Sequence, residues 1–333
     1  MLVDRIERVS DVPREEFLSP GHLACQGCGG ALAMRLLLKG LGPETALIVP
    51  ACCWSVINGP WHASAVAVPF LHCAFAAAAS TAAGVSAAFA IRGIPATVVA
   101  WAGDGGTFDI GLQALSGAAE RGDDLLYVCY DNEAYMNTGI QRSSATPVGA
   151  WTTTTPAPRV KQRPKKNILD IMAAHGIPYA ATASVGYPED LLAKVRRARD
   201  LRATRFLHIL APCPPGWRIL PEQTLHLARL AVESRVFPLV EIDDGERVRI
   251  TVNPREVKPV ARYFEAQGRF QHLCADEIAA IQASVDARWQ ALSGRAPWEC
   301  GPFPTGRAPW ECGPFPTGRA ALSPYPEAER TPC

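Results

Sequence analysis

Short apolar runs recur along most of this chain, and each is closed by a small polar or glycine-bearing cluster. ATVVAWA at 96–102 and LLYVCY at 125–130 are apolar at successive positions, as strands buried on both faces of a parallel sheet are. A helix-like segment over roughly 109–121 joins them, so this part of the chain predicts a β-α-β unit. Residues 45–53 read as another strand, ending on Cys52 and Cys53, and ALAMRLLLKGL at 31–41 reads as a helix. Farther on, ILDIMAAHG, YAATAS, PEDLLAKVRRARD and RFLHILA alternate helix, strand, helix, strand between 168 and 212. Residues 222–292 predict further helices and a short hairpin around EIDDGERVRI. Residues 143–167 predict a long loop, first rich in Ser, Thr and Pro and then basic. Strands that alternate with helices predict an α/β fold, a mostly parallel sheet flanked by helices.

Two stretches break the pattern. No Lys, Arg, Asp or Glu occurs from Thr45 to Ile91, and AFAAAASTAAGVSAAFAI at 74–91 is long enough to cross a bilayer. Alanine gains little from lipid, Ser80, Thr81 and Ser86 interrupt the run, and small residues suit close packing inside a protein. A buried helix over 72–92 is therefore expected rather than a membrane span. At the other end, GRAPWECGPFPT at 294–305 recurs unchanged at 306–317. Two copies of so short a period make no solenoid. Their Pro and Gly content predicts a disordered tail over 294–333, after one domain spanning 1–293.

Composition narrows the function classes. The 333 residues suffice for one large domain or two modest ones. A net charge of +1 gives no global case for nucleic acid. Residues 1–17 are charged throughout, unlike a signal peptide, so a cytoplasmic location is expected. In such a compartment the eleven cysteines, with a Cys-x-x-Cys pair among them, point to metal ligation rather than disulfides.

The polar clusters carry the chemistry. Gly103-Asp104-Gly105-Gly106 closes the first strand of the β-α-β unit and Asn132 closes the second, so Asp104 and Asn132 are expected side by side at the carboxyl ends, where open α/β sheets bind ligands. A carboxylate and an amide oxygen are hard donors suited to Mg²⁺, which completes its octahedron with water and substrate phosphates. The glycines allow close approach of a diphosphate, and the following helix start offers N–H groups to it. A Gly-Asp-Gly turn alone is common; the spaced Asn and the β-α-β context make the signal specific.

Cys25 and Cys28 lie in a Gly-flanked turn, Cys53 ends a predicted strand, and Cys213 sits in the rigid Pro-Cys-Pro-Pro turn after another. Four such thiolates suit a [4Fe–4S] cluster. By spacing alone a structural Cys₄ zinc site competes with it. Cys52, Cys73, Cys129 and Cys274 have the neighbours of buried core cysteines, although Cys52 competes with Cys53 as the ligand.

Together, GDG with DNEAYMNTG, GHLACQGCGG at 21–30, NTGIQRSSATPVGAWTTTTP at 137–156 and APCPPGW at 211–217 resemble the β subunit of pyruvate:ferredoxin oxidoreductase and related 2-oxoacid:ferredoxin oxidoreductases. The likeness covers roughly residues 15–290, and the motifs occur in the family's order. The chain departs from the family at Ala76–Ala79, where members often carry polar residues. The resemblance implies a thiamine-diphosphate-binding domain, with Gly103, Asp104, Gly105, Gly106, Asn132, Ala134, Tyr135 and Asn137 around the cofactor. It implies Asp104, Asn132 and the Ala134 carbonyl as Mg²⁺ ligands, Asn137 and Thr138 at the substrate, and Cys25, Cys28, Cys53 and Cys213 on a [4Fe–4S] cluster.

The implied reaction is oxidative decarboxylation of a 2-oxoacid, with pyruvate or a branched-chain acid ahead of 2-oxoglutarate, to acyl-coenzyme A and CO₂. Electrons pass through the cluster to ferredoxin, reversibly. No second α/β domain is visible to supply the carboxylate that bonds the aminopyrimidine ring. An α subunit with the pyrimidine-binding domain is therefore expected, with γ and ferredoxin-like δ subunits, and no membrane or nucleic-acid partner. Glu133 is expected as a structural partner of its loop, and His22 as a packing or capping residue. The basic set Arg159, Lys161, Arg163, Lys165 and Lys166 is expected to be a solvated loop, with coenzyme A phosphates or an acidic partner as its other use. Two rivals stay open: a non-redox thiamine-dependent decarboxylase or lyase, and a scaffold subunit without activity.

Overall fold

The computed structural model describes residues 11–295; the expected disordered tail and its repeat lie almost wholly outside them. The strands are β1 (Thr45–Pro50), β2 (Phe70–Cys73), β3 (Thr97–Gly103), β4 (Leu126–Asp131), β5 (Tyr179–Ser184), β6 (Arg205–Leu210), β7 (Leu239–Asp243) and β8 (Arg247–Val252). They form one sheet in the order β2-β1-β3-β4-β6-β5-β7-β8. The first six strands run parallel. β7 then pairs antiparallel with β5, and β8 antiparallel with β7, as the hairpin around Gly245.

Side chains alternate between the two faces of the sheet, as the period of a strand requires. Leu47, Val99, Trp101, Val128 and Leu207 point to one face, where they pack with Leu37 and Leu38 of α1 (Gly29–Leu41) and Leu191 and Val195 of α6 (Pro188–Asp200). Gly40 is needed there, because a Cβ on it would stand 2.6 Å from Val195. Ile48, Ala100, Tyr127 and Phe206 point to the other face, against α3 (Ala78–Arg92), α4 (Leu112–Arg121) and α5 (Ile168–Ala173). Beyond β6, α7 (Pro214–Trp217), α8 (Thr224–Glu233), α9 (Val260–Glu265) and α10 (Ala275–Arg295) enclose a third apolar cluster around Trp217, Tyr263 and Phe264.

Three local expectations need correction. β1 stops at Pro50 rather than running to Cys53, and the cysteines occupy the turn before the short helix α2 (Trp54–Ile57). β2 takes residues expected to open the alanine-rich helix, which starts only at Ala78. That helix is not buried throughout: Ala78, Ala79 and Ala82 face the sheet, whereas Ile91 is 87 % exposed. Alanine presents so little area that one narrow face satisfies the packing against β3 and α4. Among the described residues, no helix is long and apolar enough to cross a membrane.

The link between β3 and α4 has an unusual form. Residues Gly105–Ile110 make a π-helical turn before α4 begins. Gly111 closes it, where a Cβ would stand 2.2 Å from the Gly106 carbonyl oxygen. Wide turns of this kind occur mostly as single interruptions, frequently at functional sites.

Leu207 is fully buried in the middle of the sheet. Leu207→Ala removes its packing and leaves a cavity, at a cost of about 2–5 kcal/mol; denaturant unfolding followed by circular dichroism should show that loss.

Candidate functional site

β1, β3, β4 and β6 are consecutive neighbours in the sheet and run the same way, so their carboxyl ends form one row. The chain leaves them into Cys52–Cys53, Asp104, Asn132 and Pro212–Cys213 respectively. The β1/β3 boundary is also where the chain's progress across the sheet reverses, the position at which open α/β sheets place their ligand crevice.

Asp104 and Asn132 do stand side by side, both buried. With its amide nitrogen turned inward, Asn132 donates to Asp104 Oδ1 at 2.9 Å and to the Ala134 carbonyl at 3.0 Å, so the three groups meet at one point. Turned the other way, the amide would bring its oxygen beside the other two, an arrangement that a cation would satisfy. The other Asp104 oxygen accepts from Ser143 Oγ at 2.5 Å. Burial, and then the charge of Asp131, push the Asp104 carboxyl well above the usual carboxylate range. A bound cation would reverse that pressure.

An ionic network lies behind these residues. His208 Nε2 is 2.6 Å from Asp131 Oδ2, Lys165 pairs with both Asp131 and Glu133, and Arg269 is 2.6 Å from Glu133. Burial alone would raise the Asp131 carboxyl, but Lys165 and His208 outweigh it and hold the group at about 2. Burial wins at His208 and lowers its pKa, which favours the neutral ring. Glu133 is thus a structural partner of the loop, as expected, and it takes a left-handed backbone with φ of 70°. Two further contacts fix the neighbouring carbonyls: Trp217 Nε1 donates to Asn132 O at 2.8 Å, and Thr146 Oγ1 to Glu133 O at 2.7 Å.

The remaining cofactor-loop residues fall nearby. The Tyr135 hydroxyl donates to Asp109 at 2.9 Å, and its ring fills the space beside Gly105, where a Cβ would stand 2.2 Å from Cε1. Phe75 fills the space beside Gly106 in the same way. In this structure those glycines make room for aromatic rings. Asn137 and Thr138 are exposed at the lip. Asn137 Nδ2 donates to the Cys52 carbonyl at 2.9 Å, and Thr138 turns toward Gln141.

The four candidate cysteines gather on the same side. Cys28 caps α1, its Sγ accepting from Ala31 N at 3.4 Å, and Gly29 N donates to the Pro212 carbonyl at 3.1 Å. A Cβ on Gly29 would stand 2.7 Å from that oxygen, so glycine lets the Cys-x-x-Cys turn press against the Pro-Cys-Pro turn. Burial, then the neighbouring Cys213, Cys52 and Cys28, push the Cys53 thiol up to about 12. The Cys213 thiol is likewise pushed up to about 12, by burial and, more weakly, by Cys28 and Cys25. Cys25 is exposed, beside an open hollow of about 420 Å³ lined also by Gln26, Pro214, Pro215, Ile219 and Pro221. Among the described residues, no three of Cys, His, Asp and Glu stand close enough to hold a single ion.

Several sequence expectations change. Lys161 is buried and donates to the carbonyls of Ser144 and Thr146, and Lys165 is 17 % exposed within the network, so the basic set is not a solvated loop. Arg159 and Arg163 alone of that set are exposed. Cys274 is exposed rather than core, Cys52 and Cys73 are half-buried, and Cys129 is buried as expected. His22 accepts from Ala24 N at 3.4 Å, a local cap. Sequence reasoning missed Ser143, Asp131, Lys165, His208 and Arg269 as members of the site. Asp131 and Ser143 sit inside or beside the motifs; Arg269 carried no signal.

Lys165→Met removes the cation between Asp131 and Glu133 and should cost about 3–5 kcal/mol. In the parent, the Asp131 contribution is complete above 3.8 and is lost as pH falls toward about 2. Without Lys165 the folded carboxyl rises, so acid unfolding followed by circular dichroism should begin at higher pH.

Residues 58–209 match the family of thiamine pyrophosphate enzymes at their C-terminal TPP binding domain. Pyruvate synthase subunit PorB of Methanothermobacter marburgensis is 51 % identical over 285 residues, covering 84 % of this chain and 99 % of that protein. Ketoisovalerate oxidoreductase subunit VorB of Pyrococcus furiosus is 46 % identical over 299 residues, covering 87 % and 96 %. Among solved structures, a 2-oxoglutarate:ferredoxin oxidoreductase from Magnetococcus marinus superposes with a TM-score of 0.52 at 21 % identity, covering 80 % of this chain and 94 % of that one, a likeness of fold. With these relatives and this fold, the chain belongs to the β subunits of the 2-oxoacid:ferredoxin oxidoreductase family.

Proposed function

We propose that this subunit holds the diphosphate end of thiamine diphosphate through a Mg²⁺ bound by Asp104, Asn132 and the Ala134 carbonyl, and a [4Fe–4S] cluster through Cys25, Cys28, Cys53 and Cys213. The reaction is oxidation of pyruvate with coenzyme A to acetyl-coenzyme A and CO₂, two electrons passing to ferredoxin. The observation that carries the reading is the convergence of three buried groups, the Asp104 carboxylate, the Asn132 amide and the Ala134 carbonyl, at the carboxyl ends of β3 and β4. The cysteine side supports it too. Cys53 lies within electrostatic reach of Cys213 and Cys28, and Cys213 of Cys28 and Cys25, as ligands of one core would.

When bound, thiamine diphosphate supplies the electron sink for decarboxylation and the cluster accepts electrons singly. The protein's own part is placement. The ionic network fixes the backbone of 131–133, so that Asn132 and Ala134 present their oxygens to one point. Asn137 and Thr138 meet the substrate at the lip, and Asn137 is oriented by the Cys52 carbonyl. Arg159 and Arg163 are the exposed cations that suit coenzyme A phosphates or an acidic carrier. The carboxylate for the aminopyrimidine ring comes from an α subunit, with γ and ferredoxin-like δ subunits completing a cytoplasmic assembly. A second substrate reading, a branched-chain 2-oxoacid, is favoured by the VorB relatives.

Purified with its partners, the parent should contain iron and acid-labile sulfide and should reduce a viologen dye with pyruvate ahead of other 2-oxoacids. Asp104→Ala should retain iron but fall below about one hundredth of the parent rate, the upper end of what losing an outer-shell partner alone costs. Unchanged dye reduction in that variant would sink the cofactor site, and an iron-free parent would favour the non-redox lyase.

A further inference from the structure

The two oxygens of the Asp104 carboxylate have different partners. Oδ1 stands 2.9 Å from the Asn132 amide, which is itself 3.0 Å from the Ala134 carbonyl. Oδ2 accepts from Ser143 Oγ at 2.5 Å. The direction of that bond follows from the other contacts of the hydroxyl. Ser143 Oγ accepts from Ala145 N at 3.2 Å, which leaves its proton to the carboxylate. The next hydroxyl, Thr146 Oγ1, is 3.5 Å away and gives its own proton to the Glu133 carbonyl. Ser143 and Thr146 are both fully buried. The turn that carries them is fixed from outside. Lys161 Nζ donates to the Ser144 and Thr146 carbonyls, and Ser144 donates to Asp109 through both its N–H and its hydroxyl.

We propose that Ser143 is a positioning residue that sets which cation the site accepts: by holding Oδ2 it limits Asp104 to coordination through Oδ1, and so selects Mg²⁺ over Ca²⁺. Hard oxygen donors suit either ion, so the choice between them falls to how many oxygens each residue gives. Mg²⁺ demands a near-ideal octahedron with short distances, which a carboxylate bound through one oxygen satisfies. Ca²⁺ takes roughly six to eight oxygens at longer range, and a carboxylate bound through both oxygens helps to supply them. To bind in that way Asp104 would have to turn Oδ2 toward the cation and away from Ser143. The serine cannot readily follow, because Lys161 and Asp109 hold the turn it stands on.

This role rests on the thiamine diphosphate site proposed above, and one experiment separates the two. The complex with its partners is dialysed against a chelator to remove cofactor and cation. The thiamine diphosphate it then retains is measured against rising Mg²⁺ and, separately, rising Ca²⁺. Retention of none with either ion would sink the cofactor site and this role with it. The parent should need less Mg²⁺ than Ca²⁺; an equal need for the two would overturn the proposal and leave the cofactor site standing. In Ser143→Ala the Mg²⁺ requirement should rise about 10- to 100-fold, the usual cost of losing a partner that orients a metal-binding carboxylate. The Ca²⁺ requirement should rise less, so the preference narrows. An equal rise for both ions, or none, would make Ser143 merely structural and overturn the proposal. If circular dichroism shows that the alanine variant does not fold, Ser143→Cys decides, since it keeps the side chain's shape with a weaker donor. Its preference for Mg²⁺ should narrow in the same direction, and an unmoved preference would overturn the proposal.

Discussion

Asp131 keeps a carboxylate with none of its side chain in water, and the rest of the site depends on how that charge is satisfied. It stands at the last position of a central strand, where the chain must turn toward the ligand side. Lys165 and His208 reach it from a loop and from the neighbouring strand, and Lys165 carries the network on to Glu133 and Arg269. Charges this deep cost several kcal/mol each unless paired, so the pairs admit few alternative arrangements. A loop pinned in this way can hold Glu133 in a left-handed conformation, and with it the oxygens on either side.

The same sheet geometry gathers two kinds of donor. Parallel neighbouring strands deliver their carboxyl ends to one edge, and here that edge reads Cys53, Asp104, Asn132, Cys213 in spatial order. Hard oxygen donors take the middle and soft sulfur donors the flanks. Short hydrogen bonds stitch the two sets together. Asn137 reaches the Cys52 carbonyl, Trp217 reaches the Asn132 carbonyl, and the Cys53 amide reaches Tyr130.

The surface away from this edge follows a different rule. α3 buries only a narrow face, and β2, at the margin of the sheet, leaves Leu71 47 % exposed. The relatives are subunits of larger oxidoreductases by name. A helix of alanine, glycine and serine leaves room for a close neighbour at little cost in its own stability, because small side chains lose little rotamer freedom when covered.

Periodicity and punctuation in the sequence determined the α/β class, most of the strands and the pairing of Asp104 with Asn132, because buried parallel strands are apolar runs and their ends are marked by Gly, Asp, Asn and Pro. The quoted motifs also named the cysteines, since a Gly-flanked pair and a Pro-bracketed single are local features. Tertiary structure alone decided that Lys161 and Lys165 turn inward, because a basic run looks solvated until its carboxylates, distant in sequence, are placed beside it. It alone brought Arg269 to Glu133 and Tyr130 to Cys53, contacts between residues far apart in the chain. It alone assigned the room at Gly105 to the ring of Tyr135, since a sequence shows where a side chain is missing but not what fills the space.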